Sequence, residues 1–577
     1  MIRSFVFTVL LAGLASAQNL RPVGIIQRTA GQPTGPLVIS ERWPQATDLV
    51  SWTKDVMRLE HLENASETLQ ARAFFEWLRL FSRMAVGGMI QPYEGAYGRE
   101  AYVTDAHKTL FVYGWGYCDT TSRIAEAAWK EFKKDAGAAE RVCVQHDDGG
   151  FHTMYRLLLD GHHAAFDPRY GYFLIDRDSP DARILDWAEV GIDANILRNQ
   201  QFNHRSRPFF EFFGTEWRRA LLLKPVYFEN QQAWEKAGSP KESVFGNSQY
   251  KMGTHFHDMD FRLPKGTEIE RFWDNSARKF YVPASKQAQR ELPFLPAGRF
   301  YRVTDSSFGG NWPKYDPNYQ KSKPYLARVP DDEGYSPEMA GRLSIGQAWG
   351  RIRYAPDLRN ADPIEALAPG SNLVHSDAPP YLRPAHLKAG GQAIFDFYSP
   401  YVFVDGTLKV DLTGEDVNVE VRTLADKVAN EGQPDVWSAW QTLPVQRGTA
   451  VELGRSRYNG TDVSIHGTYH FQLRVSVLPN ARRSAPAGLK SISLEIFFEN
   501  GIMSIPQIFA GTNGIQFRLK NASALRGPIK VTYTYETNDG TRSHSMVLGP
   551  SDFHDNVARY VLDAPGLIRC KSLAVVY

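Results

Sequence analysis

Cysteine is scarce in this chain. It has three in 577 residues, too few for a disulfide-stapled scaffold. Charge of one sign is missing too. Its 66 Lys and Arg against 64 Asp and Glu leave a net charge of +2, and no long basic run occurs. Nucleic acid would call for a basic face, so neither nucleic acid nor a membrane surface is implied as a partner. Beyond the first 17 residues no stretch is long and apolar enough for a membrane helix. Internal repeats and low-complexity tails are absent. What remains is ordinary for a soluble globular protein, with 43% hydrophobic and 23% charged residues. The length exceeds one core and points to three or four domains.

Met1 to Ala17 reads as a secretory signal. Arg3 supplies the positive start, Phe5 to Leu14 the apolar centre, and Ala15-Ser16-Ala17 the small-residue cleavage pattern. An uncleaved anchor is the alternative reading, but about 10–12 apolar residues are short for a bilayer. The expected location is therefore secreted or periplasmic, with no membrane span after cleavage. Exported proteins meet oxidising conditions. Cys118, Cys143 and Cys570 are odd in number, so at least one thiol stays free. A Cys118–Cys143 disulfide is the structural alternative for those two.

The stretch from Gly114 to Tyr172 carries the chemistry. It opens Gly-Trp-Gly-Tyr-Cys118, and the spacing then predicts a helix over 119–134, with Ile124, Ala128 and Phe132 on one stripe. Asp119, Thr120 and Thr121 suit a first turn. Cys118 thus falls at a helix N-terminus, where free N–H groups and the positive dipole end favour a thiolate. Arg141 to Gln145 alternates as a strand, with Cys143 a bystander in it. Asp160-Gly161 between two strand-like runs signals a two-residue hairpin. That turn pairs Leu159 with His162, so Met154 faces Asp167. Alternation then puts His152, Met154 and Asp167 on one face, with His152 and Asp167 diagonal neighbours.

Thiol, imidazole and carboxylate form a set suited to nucleophilic catalysis. Asp167 would orient His152, His152 would take the Cys118 proton, and Cys118 would attack an acyl carbon. The Cys118 backbone N–H, with Trp115 or Tyr117 from the preceding turn, would serve the oxyanion. Gly116-Tyr117-Cys118, His152 at +34 (152 − 118) and Asp167 at +15 (167 − 152) resemble the transglutaminase-like cysteine enzymes. The resemblance covers roughly residues 100–180 and extends more loosely over 45–245. It implies Cys118 as nucleophile, His152 as base and Asp167 as orienting carboxylate. The chain has Met154 and Arg156 where that family often has an aromatic and a Glu, and Ala164 where it often has Trp.

Elsewhere the signals are architectural. Residues 45–90 read as helical, with Leu69, Ala73, Trp77, Leu80 and Met84 at steps of three or four. The aromatic run Phe209–Phe213 reads as core. His255 and His257 share a strand face and are weak metal candidates without a third ligand. Residues 305–340 read as a long loop, either inert or bordering the cleft. From Ala393 alternation is persistent, as in Val417-Val419-Val421 and Ile492-Leu494-Ile496, which suggests a sandwich. Trp437 and Trp440 are either packing or a sugar-stacking pair.

The expected fold class is therefore α+β. A transglutaminase-like catalytic domain (18–245) would follow the signal (1–17). A β-rich middle domain (246–392) and a C-terminal β-sandwich region (393–577) would complete the chain. The expected function is an exported cysteine-dependent acyl-transfer enzyme of peptidase, amidase or transglutaminase type, with no cofactor. One alternative is a polysaccharide lyase that eliminates across a uronate with His152 and Tyr155, Tyr170 or Tyr172. The other is a non-catalytic binding protein. The partner is a peptide, amide or polysaccharide substrate.

Overall fold

A computed structural model describes Gly35 and residues 37–84, 105–145, 151–189, 257–282, 299–302, 346–425 and 436–576, apart from short gaps within these ranges. The signal segment, Phe209–Phe213, His255 and the loop 305–340 lie outside the described residues. Strands take 44% of the described residues and helices 18%. This corrects the expected α+β class: the described residues are mainly β. The reason is the period-two alternation after residue 260, which pairs strand after strand antiparallel, while among the described residues the longer helices are confined to 49–133.

Helix α1 (Leu49–Leu59) starts at Asp48, whose Oδ1 accepts the Ser51 N–H at 2.8 Å. Helix α2 (Glu67–Phe81) buries Ala71, Phe74, Phe75, Leu78 and Phe81, spaced for one helical face. The stripe expected from Leu69 to Met84 is a correction. Leu69 is 42% exposed, and Met84 falls beyond the helix in a two-residue strand. Both stripes fit the helical period; the phenylalanine stripe wins because each fully buried ring is worth roughly 1.5–3 kcal/mol. Trp77 stays at the rim, where its Nε1 donates to Glu60 Oε1 at 2.7 Å.

Helix α3 (Cys118–Lys133) buries Ile124, Ala125, Ala128 and Trp129. It packs on a three-stranded antiparallel sheet of β1 (Ala139–Gln145), β2 (Phe151–Leu159) and β3 (His162–Phe166). Trp52, Phe74, Phe81, Trp129, Tyr155 and Phe166 share the core between helices and sheet.

The rest is β. In chain order the main strands are β4 (Thr267–Phe272), β5 (Gly350–Tyr354), β6 (Gly391–Thr413), β7 (Val417–Ala425), β8 (Thr468–Val477), β9 (Gly488–Phe498), β10 (Ile529–Thr537), β11 (Gly540–Leu548) and β12 (Leu567–Val576). Among the described residues they belong to one 14-stranded sheet, in spatial order β7-β8-β6-β9-β5-β4-β12-β10-β11. A second core, with Phe395, Phe397, Phe471 and Leu494, lies along β6, β8 and β9. A third, with Phe517, Val531, Tyr533 and Leu573, is closed by a separate sheet of Leu37–Ser40, Gly511–Arg518 and Val557–Ala564. Strand β4 pairs with β5 on one side and β12 on the other, so it joins the second and third cores. No helix among the described residues is long and apolar enough to cross a membrane.

Candidate functional site

The hairpin has the register that its turn dictates. Asp160 and Gly161 both take positive φ, 49° and 83°, and Leu159 pairs with His162. Tyr155 pairs with Phe166, so the next step along the ladder brings Met154 opposite Asp167. Tyr155, Leu157, Leu159, Ala164 and Phe166 all face the helices. The period of two therefore turns Met154 and Asp167 to the other face. On the far side of β2, His152 pairs with Val144 of β1. Asp167 is 1% exposed.

Helix α3 begins at Cys118. One turn on, the Ser122 hydroxyl donates to the Thr153 carbonyl oxygen at 3.4 Å, next in sequence to His152. Thr121 Oγ1 lies 3.3 Å from Ser82 Oγ, at the C-terminal cap of α2. Both bonds are buried, and together they fix the first turn of α3 between α2 and β2. The side chains of Trp115, Cys118, Cys143 and His152, and all of Tyr117, Tyr170 and Tyr172, lie outside the described residues.

Five residues singled out in the sequence take structural places. Tyr155 is a correction: it belongs to the core and not to a cleft. Its ring is fully buried and stacked on Phe166, with centroids 5.3 Å apart and planes 9° from parallel. Burial pushes its phenol well above the usual tyrosine range; the charge of Arg79 opposes this and that of Asp167 adds to it. His257 Nε2 lies 2.8 Å from the Pro400 carbonyl, and its ring packs 4.6 Å from that of Tyr469. Among the described residues no three His, Cys, Asp or Glu come together as a metal-binding group. Trp437 and Trp440 are covered by arginine: Arg422 sits 4.6 and 4.4 Å over their rings, and Arg474 sits 4.2 Å over Trp440. The free thiol of Cys570 is buried, and burial pushes it up to about 12.

The approach to Cys118 carries a feature with no sequence signal. Lys108–Tyr113 forms a π-helical turn, a geometry with no periodic signature of its own. Asp105 holds its start. One carboxylate oxygen accepts the Lys108 N–H at 3.0 Å, and the other accepts the His257 N–H at 2.8 Å. Lys108 Nζ lies 4.3 Å from the Tyr469 ring centroid. Gly114 ends the turn at φ 70°, and a Cβ there would sit 3.3 Å from both Phe81 O and Gly501 Cα. Trp115 and Gly116 then pair in parallel with Arg83 and Met84. On the hairpin face that bears Met154, Arg156 pairs with Glu140, and with Asp186 at 3.1 Å. This polar brace stands where the resembled family often carries a Glu.

No family model matches the chain, and no curated protein matches it. Among solved structures, parts of it are similar to a protein assigned as a beta-galactosidase from Bacteroides fragilis. The identity there is 13%, covering 34% of this chain and 32% of that one, with a TM-score of 0.11. Two structures of a glycosyl hydrolase family 2 member from Bacteroides cellulosilyticus give 13% and 12% identity. They cover 36% of this chain and 25% and 26% of theirs, also at a TM-score of 0.11. The chain thus spans about a third or less of the length of the structures it matches, a local likeness that leaves its chemistry to be argued from its own residues.

Proposed function

We propose that this chain is an exported cysteine hydrolase that cleaves an amide through a thioester, with Cys118 as nucleophile, His152 as base and Asp167 as orienting carboxylate. One observation carries the reading. The helix that begins at Cys118 is tied by Ser122 to Thr153, beside His152, in a hairpin whose register sets Asp167 diagonal to His152. Two independent stretches of chain that approach each other support this reading, in the order that the transglutaminase-like resemblance of residues 100–180 implies.

The steps follow from the residue types. His152 takes the thiol proton as the sulfur attacks the acyl carbon. The Cys118 backbone N–H, at the helix N-terminus, donates to the oxyanion. His152 returns its proton to the departing amine. Water, deprotonated by His152, then cleaves the thioester and releases the acid. Water is the default acceptor in this reading, since the sequence carries no motif for a second amine.

The test is chemical. Iodoacetamide at neutral pH should alkylate Cys118 much faster than an ordinary thiol and abolish turnover on a panel of peptides and amides. Cys118→Ala should lose at least about 10⁴-fold in kcat. Alkylation of Cys118 at the rate of a free cysteine would sink the proposal.

A further inference from the structure

Asp105 carries one acceptor more than its place in the chain requires. Two helical residues, Ala106 and His107, lead into the π turn, so Asp105 stands at the N-terminal cap of the whole segment. Its backbone carbonyl accepts the Thr109 N–H and the Thr109 hydroxyl, both at 3.0 Å. Its Oδ1 accepts the Lys108 N–H at 3.0 Å, the bond a capping side chain makes three residues on. A cap needs that one side-chain acceptor, and Ser, Thr or Asn would supply it. Asp105 uses a second. Its Oδ2 takes the His257 N–H at 2.8 Å, from a stretch 152 residues later. Two N–H donors that approach two separate atoms call for an acceptor at each. Ser and Thr have a single oxygen, and Asn would turn an NH₂ toward one of the donors. Of the capping residues, only an ionised Asp accepts at both atoms.

The second bond reaches the large β region. Residues 257–263 run between the helical core and the second core, and Met259 packs against both. On the β side this stretch is fastened at several points. Arg262 and Tyr398 exchange backbone hydrogen bonds at 3.0 and 2.9 Å. The Tyr398 hydroxyl donates to Asp258 O at 2.8 Å, and the Phe261 ring lies 5.6 Å from that of Tyr401. On the helical side His257 meets Asp105, and His257 O lies 3.0 Å from His107 Nδ1. Asp105 thus links a stretch anchored in the sheet to the start of the segment that leads through Gly114 to Cys118.

We propose that Asp105 is a positioning residue for the hydrolase proposed above. Its second carboxylate oxygen holds the π turn against the β region and so sets where Cys118 meets His152. Asp105 acts through the backbone that follows it. The inference rests on the cysteine reading and adds to it a residue outside the triad that governs the reactivity of the thiol.

The experiment cuts that one bond. Asp105→Asn and Asp105→Ser each keep an acceptor for the Lys108 N–H and lose the one for the His257 N–H. Iodoacetamide alkylation of Cys118 is followed against pH in the full chain by peptide mass spectrometry. Wild-type protein should react fast at neutral pH; a slow wild-type rate sinks the cysteine reading and this inference with it. In both variants the neutral-pH rate should fall about tenfold or more, and the rates should converge with wild type at alkaline pH, where the thiol ionises without help. On a peptide or amide that the wild type cleaves, kcat should fall by a similar factor with KM little changed. Exchange of the 108–113 amides should quicken, while the urea midpoint reported by Trp52 and Trp129 of the helical core stays the same. A fast wild-type rate that both variants match overturns the proposal and leaves the cysteine reading standing. A rate lowered equally at every pH, with a lowered urea midpoint, assigns Asp105 to stability alone and also overturns it. If one variant fails to fold, the other decides; failure of both assigns Asp105 to stability and ends the proposal.

Discussion

Tyr155→Phe separates a structural tyrosine from a catalytic one. The substitution removes one oxygen and leaves the ring, fully buried and stacked on Phe166, in place. That oxygen is buried and has no hydrogen-bond partner. An unpaired buried hydroxyl costs about 1–3 kcal/mol relative to its state in water. The void left by one oxygen returns only a few tenths of a kcal/mol, at about 24 cal/mol per Å³. The variant should therefore be more stable by about 1–2 kcal/mol. With an m-value of roughly 3 kcal/mol/M, the urea midpoint should rise by about 0.5 M. Several cores in one chain make a single whole-protein midpoint ill-defined. The reporter should be the fluorescence of Trp52 and Trp129, which lie in the same core as Tyr155. Turnover, if the cysteine reading holds, should be unchanged. A lowered midpoint would mean that the hydroxyl has a partner. A lost activity with an intact fold would revive elimination chemistry through this phenol.

Three further outcomes are expected. Cys570, with its thiol pushed up to about 12 by burial, should resist iodoacetamide in the native chain and react in urea; native labelling detected by peptide mass spectrometry would refute its placement. Asp396 is held below the usual carboxylate range: burial alone would raise it, but His470 Nε2 at 2.8 Å and Gln472 Nε2 at 2.5 Å outweigh that. Its contribution is then present above the unfolded carboxyl pKa, about 3.9, and fades as pH falls through the lower folded value. Asp396→Asn should cost about 1–3 kcal/mol at pH 7, with the gap narrowing below about pH 4; an equal gap in urea titrations at pH 7 and pH 3 would count against this. Gly114→Ala forces a side chain into the left-handed region, with backbone 3.3 Å away on two sides. The strain of about 1–2 kcal/mol, less up to about 1 from a stiffer unfolded chain, should leave a net loss of about 1 kcal/mol and slow alkylation of Cys118; wild-type stability and labelling rate would refute it.

What was legible in the sequence was local. The Asp160-Gly161 turn fixes its own register because both residues accept positive φ, and the strand alternation from 393 onward recurs in β6, β7, β8 and β9. Alternation also separates Tyr155 from His152, since an odd and an even position on one strand face opposite ways. Its candidacy as a site residue ran against that rule. The α2 stripe was misjudged because two apolar stripes fit one period, and the deciding quantity was ring area. The fold class was misjudged because pairing partners are remote. Leu37–Ser40 pairs with Gly511–Arg518, and β4 with β12, across most of the chain. A pattern says that a residue faces some core and not which one.

The same remoteness bears on how the candidate nucleophile is held. A π turn closes with wider bonds than an α-helix and is rarely stable unless its surroundings impose it. Here the Gly114 N–H reaches back to Thr109 O at 3.0 Å, and the rest of the support is external. Gly501 N–H donates to Phe111 O at 3.1 Å, and Tyr113 Oη meets Tyr469 Oη at 3.0 Å. Trp43 Nε1 reaches Met503 O at 2.8 Å beside them. Asp105 binds the turn to His257, which in turn rests on Pro400 and Tyr469. The residues that precede Cys118 are therefore shaped by strands and loops hundreds of positions later. The core of helices α1 to α3 and their small sheet is itself capped by Met259, Met503 and Phe509, so the β region supports both that core and the turn. The large β region is then part of what shapes the backbone at 108–114, and if the proposed cysteine chemistry holds, a substitution at Gly501 or Tyr469 should slow alkylation of Cys118 from a distance.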